Sequence, residues 1–145
     1  MRIRRARKED YPLIIDVLAA ANMHHIPSKE MPALDLRTCY VALSGRKIVG
    51  IGAYKMLSRT RGKTLLLAVM PEFRGRGIGR ALQERRIGAM RRRGARSVIT
   101  NADRPEAIAW YLRMGYRKIG TLKKRHEFGE RRIGSWTTLE LILSS

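Results

Sequence analysis

At 145 residues the chain has the length of one ordinary domain, enough to bury about two-thirds of the surface its unfolded form exposes without help from a metal or partner. Its 31 Lys and Arg against 12 Asp and Glu give a net charge of +19, so the surface attracts polyanions, among them coenzyme A, nucleic acid and acidic proteins. No stretch approaches the ~18 consecutive apolar residues of a membrane span, and the basic N-terminus meets Glu9 and Asp10 instead of the apolar core of a secretory leader.

Arg2 to Ala6 reads as a short first strand. Leu13, Ile14, Val17, Leu18 and Ala21 then fall at helical spacing, and their shared face predicts a helix packed on a sheet and ending near Asn22. His24 to Leu34 contains Pro27 and Pro32, which rule out one regular helix and predict a loop with a short helical turn, suited to a substrate-facing lid. The lone cysteine, Cys39, can form no internal disulfide, and no Cys/His spacing matches a zinc site, so we expect no metal and a cytoplasmic setting. Its place in the strand-like run 36–42 reads as a packed side chain and not as a nucleophile.

Residues 40–43 and 48–54 predict a hairpin around Gly45. The apolar run Thr64 to Val69 predicts a central strand buried on both faces, and Pro71 closes it. Ile78 to about Arg93 reads as a helix capped by Gly94, its apolar face of Ile78, Ala81, Leu82 and Ala89 interrupted by Arg85. Ser97 to Thr100 is a further strand, parallel to the central one because a helix joins them. Asp103, Pro105 and Glu106 supply helix-start chemistry, Ala107, Ile108, Tyr111 and Leu112 share a face, and Gly115 ends that helix. Residues 116–122 and 135–143 predict a final antiparallel pair. Without a repeat, a low-complexity tract or a linker, one domain over 1–145 is the simplest division.

Chemistry concentrates in residues 67–82, where a buried strand, a glycine-rich turn and a helix start follow one another. That order aims several main-chain N–H groups and the positive end of a helix dipole at one point, which makes an anion cradle. Glycine at 75, 77 and 79 lets the main chain curl and approach a phosphate without a Cβ in the way. A dinucleotide fingerprint fails because its third glycine is Arg80, and a Walker loop fails for want of G-K-[ST].

Val69, Pro71, Arg74, Gly75, Gly77, Ile78 and Gly79 match, in order, the V-x-P-x-x-[Q/R]-G-x-G-[IV]-G pattern of the GNAT superfamily of acetyltransferases, which the sequence resembles from about Leu65 to Gly120. A second family pattern, A-x-x-[LFW]-Y-x-x-x-G-[FY], is met by Ala107, Trp110, Tyr111, Gly115 and Tyr116. The asparagine often found three residues before that alanine is Arg104 here, with Asn101 one helical turn earlier. The resemblance implies an α/β (α+β) fold, a mixed and mostly antiparallel central sheet of about six or seven strands with helices on both faces. It implies acetyl transfer from acetyl-CoA to an amine by direct attack. The coenzyme would be held by Leu67, Val69, Arg74, Gly75, Arg76, Gly77, Ile78, Gly79, Arg80, Asn101 and Tyr111, with Arg80 and Arg85 nearest the 3′-phosphate. In the implied chemistry the strand ending at Val69 splays from the strand at 97–100, the pantetheine arm fills the gap, and Tyr111 is the general acid.

Acetyl transfer also needs a neutral amine. Glu30, His24 and His25 in the early loop and His126 or Glu127 in the late one are the candidate bases, with Glu30 and His126 carried as catalytic candidates beside Tyr111. Two other readings compete: a basic nucleic-acid-associated module, and an acyl-CoA-sensing module without catalysis. Neither an exposed aromatic pattern nor a helix-turn-helix supports the first, with aromatic content at 6%. Contact with nucleic acid or an acidic protein, and a homodimer, are compatible with the charge.

Overall fold

In the computed structural model the described residues form seven strands, β1 (Arg2–Arg5), β2 (Cys39–Ser44), β3 (Lys47–Met56), β4 (Arg61–Val69), β5 (Ser97–Ala102), β6 (Arg117–Lys123) and β7 (Ser135–Ile142). Between them lie the helices α1 (Tyr11–Ala20), α2 (Ile78–Arg92) and α3 (Pro105–Arg113). The structure describes residues 1–21, 34–125, 130 and 132–143. The strands make one sheet in the order β1-β2-β3-β4-β5-β7-β6. Every neighbouring pair is antiparallel except β4 and β5, which run parallel because α2 carries the chain from one to the other. The mixed, mostly antiparallel sheet anticipated from the sequence is therefore present.

Side chains alternate across the strands, and each face carries its own core. Cys39 and Val41 of β2 meet Ile14, Val17 and Leu18 of α1 on one side. Tyr40 and Ala42 belong to the other core, with Ile78, Leu82, Ala89 and Met90 of α2. On that face β3 presents glycines, and a Cβ at Gly50 would lie 3.1 Å from Ile78 Cγ2 and from Leu82 Cδ1. A Cβ at Gly52 would lie 3.3 Å from the Cβ of Leu82. The bare main chain lets α2 settle directly on the sheet, which fixes the position of its first turn.

Two irregularities in β4 shape everything beside it. Gly52 pairs with Leu67 and Tyr54 with Thr64, so Leu65 and Leu66 together face Ala53. This is a β-bulge, which bends its strand. The ladder to β5 covers only Arg61, Gly62 and Lys63, opposite Ser97, Val98 and Ile99. Beyond Lys63 the two strands part, while β5 stays paired with β7 as far as Ala102. Burial in β4 follows: Thr64, Leu66 and Ala68 are buried, but Leu65, Leu67 and Val69 are only half-buried. The expectation of a strand buried on both faces is thus corrected, because an opening takes the place of a neighbouring strand. At the paired end, Glu140 of β7 accepts from Arg61 (3.1 Å) and Arg117 (3.3 Å), tying β4, β7 and β6 together.

The first strand is joined to the start of α1 by Asp10. Its carboxylate accepts from both Nη atoms of Arg4 (2.7 and 3.1 Å) and from the Arg7 amide (2.7 Å). The Arg4 guanidinium, helped by the Arg7 N–H, outweighs burial and holds the Asp10 carboxyl below its ordinary range. A depressed folded-state pKa adds stability that is present above the unfolded value of ~3.9 and is lost as pH falls through the folded one. Asp10→Asn should therefore cost about 1–3 kcal/mol at pH 7. In urea melts the gap from the unsubstituted protein should close steadily below about pH 4, and a gap independent of pH would contradict this account.

Candidate active site

Pro71 ends β4 and a 3-10 turn over Pro71–Phe73 leads to the glycine-rich segment. Gly75 (φ 77°) and Gly77 (φ 81°) are left-handed, a conformation that side chains with a Cβ resist, and Gly77 is the N-cap of α2. Its carbonyl accepts the first helical bond, from Ala81 at 3.0 Å. Among the described residues the amides of 75 to 80 donate to no protein acceptor. Apart from the glycine and its two chain neighbours, no atom lies within 4 Å of where a Cβ would stand at Gly75 or Gly77. The turn therefore presents unpaired donors, backed by the positive end of a fifteen-residue helix, to open space.

That space is the head of a cavity of about 1270 Å³ that follows the opening between β4 and β5. The Met70 N–H donates to the Val49 carbonyl on β3. By the two-residue alternation of an antiparallel ladder, Ala68 shares that edge, and Leu67 and Val69 turn their N–H and C=O groups into the opening. Asn101 lines the opposite wall and its side-chain oxygen accepts from Thr138 Oγ1 at 2.7 Å, so its place is on β5 and not a helical turn ahead of α3.

Tyr111 lines the cavity, 7% exposed, held edge-on between Trp110 and Tyr116 with ring centroids 5.0 Å from each. Its hydroxyl oxygen accepts from Nη2 of Arg86 at 3.2 Å. Leu122, Lys124 and Trp136 of the last hairpin also line the cavity. Here Asp103 accepts from Lys124 Nζ (2.8 Å) and from the Glu130 amide (2.7 Å), and Lys124 Nζ sits 4.5 Å from the Trp136 ring centroid. Burial pushes the Asp103 carboxyl up, but the Lys124 ammonium and the Glu130 N–H together hold it below its usual range. The sequence assigned Asp103 to helix-start chemistry, whereas the N-cap of α3 is Arg104 and makes no side-chain cap.

The structure brings Leu67, Val69, Arg74, Gly75, Gly77, Gly79, Arg80, Asn101 and Tyr111 to this one cavity. Ile78 and Arg76 contribute main chain to the turn but are not among its lining residues. The Ile78 side chain is buried against the sheet, and the Arg76 guanidinium lies 4.9 Å from the Phe73 ring centroid. Arg85 is not on the cavity either, because its guanidinium lies over the Tyr40 ring at 5.5 Å. Glu30, His24, His25, His126 and Glu127 fall outside the described residues.

Residues 35–118 match the family model of the acetyltransferase (GNAT) domain, which is more than half of the chain. The chain belongs to the GNAT domain family. N-alpha-acetyltransferase 30 of Schizosaccharomyces pombe is 30% identical over 83 residues, covering 53% of this chain and 55% of that protein. The chain thus spans about half the length of that curated relative. Ard1 from Thermoplasma volcanium superposes with a TM-score of 0.84 at 22% identity over 99% of this chain and 98% of that one. Rv2747 from Mycobacterium tuberculosis, crystallised in complex with CoA, gives 0.78 at 20% identity over 99% and 100%. At these identities the likeness is one of fold, and it spans the whole GNAT-like sheet.

Sequence reading missed two polar residues inside this GNAT domain, Gln83 and Arg86, both fully enclosed. The signal was present: Leu82, Arg86, Ala89 and Met90 stand at i, i+4, i+7 and i+8, so Arg86 and not Arg85 interrupts the inward face of α2. Cys39 is buried in the core, as the sequence suggested. Burial pushes its thiol up to about 12, with Asp10 and Asp35 adding to the effect. In the native protein at pH 8, iodoacetamide should leave Cys39 unmodified by mass spectrometry, and urea should restore full labelling. Rapid native labelling would mean the site is open.

Proposed function

We propose that this GNAT domain, read as one unit over 1–145, transfers an acetyl group from acetyl-CoA to a primary amine, the α-amino group of a protein or peptide. The observation that carries the reading is the row of unpaired amides at 75 to 80, heading a cavity that runs past an unpaired strand edge to a tyrosine hydroxyl. The name of the fission-yeast relative, an N-alpha-acetyltransferase, supports the choice of acceptor.

The residues present suit the coenzyme. Donors without partners, and two glycines beside which a Cβ would meet only empty space, form a cradle for a diphosphate. When bound, the coenzyme supplies an acetyl thioester and the anionic groups that anchor it. Arg74 and Arg80 add positive charge at the cradle, although Arg80 also pairs with Glu84 at 3.3 Å. The main-chain groups of Leu67 and Val69 would take the place of the missing strand partner, and the Val69 N–H is the donor for a carbonyl oxygen in the opening. Tyr111 holds a proton at Oη for the departing thiolate. Leu66 and Ala68 on one side, with Trp136 on the other, limit water near the reacting groups. For proton removal from the amine, Glu30 and His126 remain the proposed groups. The lone enclosed thiol suits a cytoplasmic setting.

Thiol release should be followed with acetyl-CoA and a panel of peptides with free N-termini, polyamines and amino sugars. Turnover should be fastest with the peptides and absent once their α-amine is blocked. Gly77→Glu places a carboxylate and a strained Cβ in the cradle, and acetyl-CoA should then give no thermal shift. Tyr111→Phe should keep that shift and slow turnover about a hundredfold. Retention of full activity in Tyr111→Phe would refute the acid assignment.

A further inference from the structure

Among the described residues Arg86 is the bulkiest fully enclosed side chain, and no carboxylate pairs with it. Every acceptor it meets is neutral. Nε donates to Gln83 Oε1 at 2.7 Å, Nη1 to the carbonyls of Ala53 and Leu66 at 3.1 Å each, and Nη2 to Tyr111 Oη at 3.2 Å. Gln83 is itself pinned, its Nε2 donating to Tyr116 Oη at 2.8 Å. Ala53 and Leu66 are the residues at the β4 bulge, whose carbonyls a regular ladder would have satisfied. One guanidinium therefore joins the strand irregularity beside the opening to the tyrosine that faces it.

A buried cation without a counter-charge is costly, and a neutral donor could satisfy two bulge carbonyls at lower cost. The charge gains a purpose where negative charge develops beside it. At Tyr111 the geometry supplies that place. Arg86 donates to Oη, so the phenol accepts there and its own proton must leave in another direction. Among the described residues that proton has no protein acceptor, and Tyr111 lines the cavity.

Resting on the transferase reading above, we propose that Arg86 is a positioning residue for the reaction: it fixes the Tyr111 hydroxyl with its proton available to the cavity and balances the charge left on Oη. In the step it serves, the Oη–H bond breaks and an S–H bond forms on the departing thiolate of coenzyme A. The electron pair stays on Oη beside the guanidinium, and a proton from water restores the phenol after release. Arg86 touches neither substrate, and its effect passes through Tyr111.

The test is a double-mutant cycle with Arg86→Met and Tyr111→Phe, read as kcat and KM for acetyl-CoA and for the peptide. Arg86→Met should lower kcat about tenfold or more with KM for acetyl-CoA unchanged, because the cradle at 75 to 80 is left intact. In the Tyr111→Phe background the same substitution should cost no further kcat. Equal losses in both backgrounds would show a structural brace only and overturn the proposal, as would an Arg86→Met protein with full kcat. Should Arg86→Met fail to fold, Arg86→Lys carries the same cycle. Its ammonium keeps the charge but cannot span four separated acceptors, so a loss confined to the Tyr111 background is again expected. Thiol release absent from the unsubstituted protein with every amine would remove the transferase reading and this proposal with it. An active unsubstituted protein with an additive cycle would remove this proposal alone.

Discussion

Past Lys63 the main chain of β4 loses the strand that should complete its hydrogen bonding on the β5 side. Main-chain donors and acceptors removed from water need partners, so such an edge inside a sheet persists only if something else satisfies it. The protein supports the parting from both ends. The Arg61 and Glu140 ion pair holds the strands where they are still joined, and the bulge at Leu65 and Leu66 bends β4 where they separate. The cavity is the space this produces, and the half-burial of Leu67 and Val69 is its direct trace.

The same helix serves two features beside that space. The first turn of α2 carries the unpaired amides of the cradle, and two turns on it carries Arg86, which grips the bulge carbonyls and Tyr111. Gly50 and Gly52 of β3 let α2 rest on bare main chain, and that contact sets where both features lie. The unpaired amides and the Tyr111 hydroxyl are thereby held in one rigid frame.

Charge is distributed with the same logic. Most of the excess of +19 is carried by exposed arginine, where solvent screens it and single pairs such as Arg80 with Glu84 contribute little. Arg86 differs in kind because no solvent screens it, and its nearest ionisable neighbour in hydrogen-bond contact is a phenol. Lys124 and Asp103, which line the cavity, instead form a nearly neutral pair beside Trp136.

The order of strands and helices, the parallel crossover and the glycine turn could all be read from the sequence, because alternation, helical spacing and left-handed glycines are local properties of the chain. Gly75, Gly77, Gly94 and Gly115 stand at positive φ where the sequence called for turns and caps. Tyr111, Leu67 and Val69 were found through a family pattern, and the cavity they share confirms their proximity without assigning their roles. Asp103 and Arg85 went astray, since a carboxylate before a proline and an arginine within a helix offer the same local signal whichever neighbour they meet. Where β4 leaves β5, which arginine of α2 turns inward, and what that arginine grips were decided only by tertiary structure. Each depends on partners far apart in the chain, Arg86 with Ala53, Leu66 and Tyr111, and no local spacing encodes a contact across that separation.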